Sequence, residues 1–169
     1  MVMVSFKGVG CKIFQTVSDT LIVMGKAARA IIFENGKILV MHRQKYGNSY
    51  FTLVGGRINE GETSEQALVR EVKEETGMDV IGATLVFIEK HPEPYNEQYI
   101  YICDVGPHGE IDVLPTSEEG QLNQMQTNMH KPYWMEVKGF PNLEFRTPQL
   151  QEAIVKAFKK GFPKSPVTL

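Results

Sequence analysis

The sequence predicts an α/β fold in which a mixed β-sheet lies between helices. Short runs rich in β-branched and aromatic residues end at glycine, proline or asparagine, which is typical of strands joined by turns. Two stretches, residues 64–76 and 148–160, carry apolar side chains at helical spacing between recognisable caps. In chain order these elements give three strands, a helix, three strands and a second helix. We expect the second helix to cover the sheet face opposite the first.

Length and composition predict a single domain. The chain has 169 residues, of which 42% are hydrophobic and 22% are charged, and these values suit one domain with a sizeable core. We expect that domain at residues 25–169. Residues 1–24 form an N-terminal extension, for which an edge strand and a dimer contact are both open.

The same composition argues against several classes of function. The formal net charge of −2 gives no electrostatic argument for nucleic acid as a main partner. The longest apolar runs are far shorter than a membrane span, and residues 1–24 lack the continuous apolar core of a signal peptide. Cys11 and Cys103 do not stand at metal-ligand spacing, so we expect buried free thiols in a reducing, cytoplasmic compartment.

A β-hairpin is predicted near the start of the domain. Asn35-Gly36 separates two apolar runs, and a type I′ turn needs positive φ at both central residues, which Asn and Gly tolerate. Strands are expected at residues 28–33, 37–42, 51–54, 80–89, 98–105 and 133–136, and polar loops at 44–50, 91–97 and 106–131. The last loop is long, and a substrate lid and a surface insertion are both open for it.

The stretch that begins at Gly55-Gly56 is the part of the chain richest in chemistry. A strand ends at this pair, where the lack of side chains permits positive φ or a close approach to a ligand. Thr63 and Gln66 have the spacing of a capping box, and Gly77 is placed to end a helix. These residues support the first predicted helix.

Three glutamates of this helix are expected to share one face. An apolar side should face a core through Leu68, Val69 and Val72. Glu71, Glu74 and Glu75 stand at i, i+3 and i+4, so their carboxylates converge on a neighbouring side. Like charges at these spacings destabilise a helix by roughly 0.2–0.5 kcal/mol per pair. The cluster therefore favours a hard cation such as Mg²⁺, which bridges to substrate phosphates, while a solvated acidic face is the alternative.

The spacing of the whole stretch resembles the Nudix box, GX5EX7REUXEEXGU, in which U is a bulky aliphatic residue. Gly56 is followed after five residues by Glu62, and Arg70 comes after seven more. The remaining fixed positions are filled in turn by Glu71, Val72, Glu74, Glu75, Gly77 and Met78. Every constrained position matches, so the resemblance is specific.

The resemblance implies an α/β/α sandwich and a hydrolase that cleaves the pyrophosphate of nucleoside diphosphates linked to another moiety. Mg²⁺ is the implied cofactor, with Mn²⁺ as a substitute. The implied metal ligands are the Gly55 carbonyl and the carboxylates of Glu71, Glu74 and Glu75. Glu74 is also an implied catalytic residue, with Glu62 supporting the site and Arg70 fixing the glutamates by charge-assisted hydrogen bonds.

Candidates outside the box follow from the same resemblance. Many family members place a further catalytic glutamate on a separate loop, and Glu97 is the first candidate here. The candidates ranked behind it are Glu93, Glu118 and Glu119. Arg43, at the end of the second strand, and Arg57, after the glycines, are the predicted substrate-binding arginines. A solvated strand-end charge is the alternative for Arg43.

The sequence thus favours a Mg²⁺-dependent pyrophosphohydrolase that acts on a small nucleotide-type diphosphate, such as a nucleotide sugar or a dinucleotide. The alternatives are house-cleaning hydrolysis of nucleoside triphosphates and a nucleotide-sensing domain without turnover. The intact box favours the enzyme, because sensing members usually lose box residues. No membrane contact is expected, and a homodimer is a candidate assembly by analogy with the family.

Overall fold

The computed structural model describes residues 25–90, 95–126 and 128–169. The predictions for residues 1–24 and for Glu93 fall outside that part of the chain. The strands within it are β1 (Gly25–Ile31), β2 (Phe33–Glu34), β3 (Lys37–Lys45), β4 (Asn48–Thr52), β5 (Val80–Lys90), β6 (Tyr95–Val105), β7 (Asn128–Glu136) and β8 (Val167–Thr168). The helices are α1 (Ser64–Thr76), α2 (Glu118–Gln124) and α3 (Pro148–Lys160), with a 3-10 turn at Phe140–Asn142.

The strands form two sheets that meet along β1. One sheet has the order β1-β6-β5-β8, with antiparallel pairing between β5 and β6 and parallel pairing at both ends. The other is antiparallel and is centred on β3, which pairs with β2, β4 and β7. The predicted α/β sandwich with mixed strand directions is confirmed. Its strands divide into two sheets because the segment after β4 meets β1 only through the isolated bridges Ala27–Arg57 and Ala30–Val54.

Two apolar cores lie on opposite sides of these strands. Side chains alternate along a strand, so neighbouring residues of β1 and β3 point into different cores. The core beneath α1 contains Ala28, Ala30, Leu39, Met41, Leu68 and Val72. The core beneath α3 contains Ile31, Ile38, Val40, Leu150, Ile154 and Ala157. The prediction that the second helix covers the face opposite the first is confirmed.

Helix α1 begins and ends where predicted, but one of the three residues predicted to face the core is exposed. Thr63 Oγ1 accepts from the Gln66 N–H at 3.1 Å and Gln66 Oε1 accepts from the Thr63 N–H at 2.9 Å, which confirms the capping box. Gly77 follows with φ of 75°. Val69 was expected in the core but is 47% exposed. It lies about 100° around the helix from Leu68, which puts it just outside the buried arc.

Two hairpins use turns with positive φ at both central residues. Asn35 and Gly36 have φ of 50° and 76°, which confirms the predicted hairpin between β2 and β3. Tyr46 and Gly47 have φ of 50° and 79° and join β3 to β4. The polar loop predicted at residues 44–50 is therefore wrong. The tyrosine concealed this turn, because bulky residues rarely adopt positive φ.

The second half of the domain contains more regular structure than predicted. Glu97 was expected in a loop but lies on β6, opposite Lys26 of β1 and Lys90 of β5. The predicted loop at residues 106–131 contains α2 and the start of β7. Helix α2 is polar almost throughout, so the sequence has no apolar periodicity that would predict it.

Helix α3 is confirmed with one difference at its start. Thr147 is the N-cap residue, as predicted, but its side chain makes no capping hydrogen bond. The first turn of α3 therefore lacks a side-chain partner at its cap.

Candidate active site

Three carboxylates from two helices converge beside the glycine turn. One oxygen each of Glu71 and Glu75 on α1 and of Glu119 on α2 lie within 4.8 Å of one another. Glu71 and Glu75 are 5% and 2% exposed, whereas Glu119 is half-buried. Oxygen donors at this spacing are the set that a hard divalent cation binds.

The two glycines bring the backbone against these carboxylates. The Gly55 N–H donates to Oε2 of Glu75 at 2.6 Å, and Gly55 has φ of 123°. A Cβ on Gly55 would lie 2.2 Å from the Ala28 carbonyl oxygen, and one on Gly56 would lie 2.6 Å from the Glu71 carboxylate. Position 55 therefore requires glycine, whereas a side chain at Gly56 would displace the Glu71 carboxylate.

Arg29 binds the carbonyl oxygen of Gly55 in the same turn. Its Nη1 donates to the Gly55 carbonyl oxygen, which is a predicted metal ligand, and its Nε donates to Oε1 of Gln98 at 2.9 Å. A carbonyl oxygen has two lone pairs, so the hydrogen bond leaves one available. The sequence reasoning missed Arg29. A charged residue between the buried Ala28 and Ala30 is the signal that could have found it.

Arg70 connects the remaining glutamates of the box. Its Nε and Nη2 each donate to a different oxygen of Glu62 at 2.9 Å, which makes a bidentate pair. Its Nη1 donates to Glu71 at 2.8 Å and to Glu74 at 3.2 Å, and Nη2 also reaches the Arg57 carbonyl at 2.9 Å. These hydrogen bonds lower the pKa of Glu62 and raise that of Arg70. The geometry matches the positions predicted for Arg70 and Glu62.

Burial raises the pKa of the two buried carboxyls of the cluster, whereas hydrogen bonds from Arg70 lower the pKa of Glu62. It raises the pKa of Glu75 to about 8, against the hydrogen bond from Gly55 and the charge of Arg29. Burial also raises the pKa of Glu71, although Arg70 opposes the change. Without a cation, Glu75 therefore keeps its proton at neutral pH. A divalent cation at the cluster would replace that proton, so the donor set fits a metal ion.

Cationic and polar side chains complete the cleft above the carboxylates. They include Arg29, Arg43, Lys45, Arg57, Asn128 and His130. Arg43 Nη2 donates to Oδ1 of Asn128 at 3.1 Å, but its buried Nε has no hydrogen-bond partner among the described residues. Burial lowers the pKa of Arg43 and also lowers that of His130, to about 4. A half-buried guanidinium without an ion pair among the described residues favours an anionic ligand.

The structure brings most of the predicted site residues to this cleft. The predicted residues that line it are Arg43, Gly55, Arg57, Arg70, Glu71, Glu74 and Glu75, and the lower-ranked Glu118 and Glu119 line it as well. Glu62 reaches the site through its pair with Arg70. Sequence reasoning missed Asn128 and His130, for which no pattern in the chain gave a signal.

Glu97 is not among the residues that line this cleft. Its carboxylate binds Lys26 at 3.2 Å, Lys90 at 3.1 Å and the Tyr99 hydroxyl at 2.9 Å. These partners lower its pKa to about 2. A carboxylate so occupied links three strands, and the structure does not bring it to the cluster on α1 and α2.

The family of the chain follows from comparison with known proteins. The family model described as NUDIX domain matches residues 24–158, which is most of the chain. The chain belongs to the Nudix family.

Curated relatives share the domain but carry different activities in their names. The NAD-capped RNA hydrolase NudC of Vibrio atlanticus is 44% identical over 109 residues, which cover 64% of this chain and 36% of that protein. An ADP-ribose pyrophosphatase of Methanocaldococcus jannaschii is 34% identical over 84 residues, covering 47% and 50%. An 8-oxo-dGTP diphosphatase of Proteus vulgaris is 33% identical over 70 residues, covering 40% and 62%. The chain thus spans between about a third and two thirds of their lengths.

Solved structures support the fold. A NUDIX hydrolase from Nitrosomonas europaea superposes with a TM-score of 0.62 at 18% identity, covering 82% of this chain and 90% of that one. A MutT protein structure from work on Aliivibrio salmonicida and Vibrio cholerae has a TM-score of 0.59 at 20% identity, covering 82% and 98%. Among the described residues, no helix is long and apolar enough to span a membrane.

Proposed function

We propose that the chain is a metal-dependent hydrolase that cleaves the pyrophosphate bond of a nucleoside diphosphate linked to another moiety. Mg²⁺ is the proposed ion, with Mn²⁺ as a substitute. The observation that supports the proposal is that a cluster of carboxylates and an arginine without an ion pair among the described residues line the same cleft. Three carboxylates meet there, and Arg43 lines the same cleft without an ion pair to any described residue. A diphosphate that binds the carboxylates through a cation and Arg43 directly satisfies both.

The residues that would hold the ion are Glu71, Glu75 and Glu119, since their oxygens already converge. Glu74 contributes at the edge of the cluster, because Arg70 occupies only one of its oxygens. The Gly55 carbonyl is a further candidate ligand through its second lone pair. A bound divalent ion supplies neutralisation of phosphate charge and a coordinated water of lowered pKa.

The protein side chains orient the substrate and move the proton. The guanidinium of Arg43, which lines the cleft, donates to a phosphate oxygen, and the exposed Arg57 binds at the entrance of the cleft. Glu74 accepts the proton of the attacking water, since a positioned carboxylate in the cleft can act as a general base. Arg70 fixes Glu74 and Glu71 at their hydrogen-bonded positions.

The glutamate outside the box is proposed to be Glu119 rather than Glu97. Glu119 contributes an oxygen to the carboxylate cluster, and Glu118 lines the same cleft. Glu97 instead forms ion pairs with two lysines. Because α2 carries Glu119, the segment between β6 and β7 supplies part of the active site.

The class of substrate remains the broad one, a nucleotide-type diphosphate. The named relatives act on NAD-capped RNA, ADP-ribose and 8-oxo-dGTP, and the feature that all three share is a phosphoanhydride attached to a nucleoside. Hydrolysis of nucleoside triphosphates is the second candidate, favoured by the likeness to an 8-oxo-dGTP diphosphatase. The intact carboxylate cluster argues against a domain that only senses nucleotides.

The test is product identification across ADP-ribose, NAD, nucleotide sugars and 8-oxo-dGTP, each with and without Mg²⁺. We expect metal-dependent release of a nucleoside monophosphate from at least one class. Binding of a nucleotide without cleavage of any of these compounds would support the sensor and overturn the proposal.

A further inference from the structure

A second cavity opens from the cleft on the side of β4 and the start of α3. It shares Arg29, Arg43 and Lys45 with the cleft, and Arg146 lines it separately. Its other lining residues are neutral: Tyr50, Thr52, Leu53, Gln98, Phe145, Thr147 and Leu150. Four cationic side chains thus meet at a cavity whose lining contains no acidic residue.

None of these four cations is neutralised by an ion pair within the described residues. Among the described residues, Arg29 and Arg43 donate only to neutral oxygens, and the buried Arg43 Nε has no acceptor. The Arg146 guanidinium lies 5.2 Å from the centre of the Tyr50 ring, and the Lys45 ammonium lies 5.4 Å from that of Tyr46. Like charges that line one cavity repel each other unless an anion joins them.

The N-terminus of α3 adds to the positive potential. Thr147 and Leu150 of its first turn line the cavity. The side chain of Thr147, the N-cap residue, makes no capping hydrogen bond to the N–H groups of that turn. Uncapped N–H groups and the helix dipole both favour a negative group at this position.

One carboxyl lies behind the cavity wall. Glu89 is 3% exposed and accepts from the side chain of Gln98 at 3.0 Å, and Gln98 lines the cavity whereas Glu89 does not. Burial raises the pKa of Glu89 to about 7, and its charge is therefore partial at neutral pH. It offsets at most one of the four positive charges.

We propose that this cavity is a subsite for a second anionic group of the substrate, a phosphate or a carboxylate beyond the diphosphate that is cleaved. The inference rests on the proposed function, because three of its cations also line the catalytic cleft. Arg43, at the boundary, faces both groups, while Arg146 faces only the second. A substrate that carries the extra anion is therefore preferred over one that lacks it.

The test compares pairs of substrates that differ by one anionic group. NADPH against NADH adds a phosphate on the nucleoside side, ATP against ADP adds one at the far end, and UDP-glucuronate against UDP-glucose adds a carboxylate. We expect kcat/KM to favour the more anionic member by about tenfold or more in at least one pair, since hydrogen bonds to charged groups contribute about 1.5–3 kcal/mol. The pair that responds identifies the group.

Arg146→Gln is the decisive variant, because Arg146 lines this cavity and not the cleft. We expect it to reduce that preference to less than about threefold. Lys156→Gln removes the same charge from an exposed position on α3 and should leave the preference unchanged. If Arg146→Gln does not fold, Lys45→Gln on the exposed end of β3 replaces it.

Two outcomes overturn the subsite. One is an equal kcat/KM within all three pairs, and the other is a preference that Arg146→Gln leaves intact. A chain that cleaves none of the six compounds, and neither ADP-ribose nor 8-oxo-dGTP, would instead contradict the proposed function. Calorimetric Kd values for the same pairs then decide on the subsite separately: a preference lost in Arg146→Gln supports it, and equal Kd values overturn it.

Discussion

Replacing Glu75 with glutamine is expected to stabilise the metal-free protein at alkaline pH. Burial raises the pKa of Glu75 from 4.5 to about 8. The folded state therefore holds this proton more tightly than the unfolded state does. The stabilisation is complete below pH 4.5 and is lost as the pH rises through about 8. At 1.36 kcal/mol per pH unit, the whole interval corresponds to about 5 kcal/mol in the free energy of unfolding.

Urea unfolding in EDTA measures this effect. Glu89, whose pKa is about 7, contributes with the same sign at lower pH, so the comparison is made between about pH 7 and pH 8.5. Over that range the free energy of unfolding of the wild type should fall by about 1 kcal/mol through the titration of Glu75. In Glu75→Gln this part of the decrease should be absent. Glutamine keeps the size of the side chain and an oxygen for the Gly55 N–H.

Glu62→Gln is the matched control from the same motif. Its pairing with Arg70 lowers the pKa of Glu62, so its stabilisation is present above the unfolded pKa and is lost only in acid. The control should therefore destabilise the protein at both pH values. Saturating Mg²⁺ should flatten the pH dependence of the wild type, because the ion replaces the proton on Glu75. Equal slopes for wild type and Glu75→Gln in EDTA would refute the burial argument.

Three further predictions concern activity. Glu74→Gln should lower kcat by about 100-fold or more, as expected for loss of a general base, while the melting temperature stays near that of the wild type; unchanged kcat would remove Glu74 from the mechanism. Glu119→Gln should lower kcat more than it raises KM in steady-state kinetics. Glu97→Gln should keep the wild-type kcat but lose stability. If instead Glu97→Gln lowers kcat and Glu119→Gln does not, Glu97 is the assisting glutamate. Gly56→Ala should weaken metal binding and lose most metal-dependent activity, because its Cβ would lie 2.6 Å from the Glu71 carboxylate. A wild-type Kd for Mn²⁺ in calorimetric titration of this variant would contradict the predicted loss of metal binding.

Local rules predicted the first half of the chain well. The capping box of Thr63 and Gln66, the helix end at Gly77 and the turn at Asn35-Gly36 are each specified by residues within a few positions of one another. The box helix also fixes the spacing of its own glutamates, so the face shared by Glu71 and Glu75 follows from helical geometry.

The predictions that were wrong or incomplete concern residues placed by strand register or by tertiary contacts, or residues in segments with weak local sequence signals. Glu97 was placed in a loop because prolines precede it, and only strand register brings it between Lys26 and Lys90. Glu119 lies on a polar helix without periodicity, and its approach to Glu71 is a tertiary contact that spacing along the chain does not encode. Sequence alone therefore located the box half of the site and Arg43, ranked Glu119 behind Glu97, and missed Arg29, Asn128 and His130.

The two electrostatic states within the box suggest how one short motif both folds and binds a metal ion. Arg70 provides charge for Glu62 and donates to Glu71 and Glu74, so these side chains are held before any ion arrives. Glu75 receives only a backbone N–H, and burial keeps it protonated at neutral pH. A second arginine at Glu75 would stabilise its negative charge but would compete with the cation for the same oxygens. Under the proposed function, this buried carboxyl has no ion pair among the described residues, so the ion rather than the protein is the source of positive charge at this position.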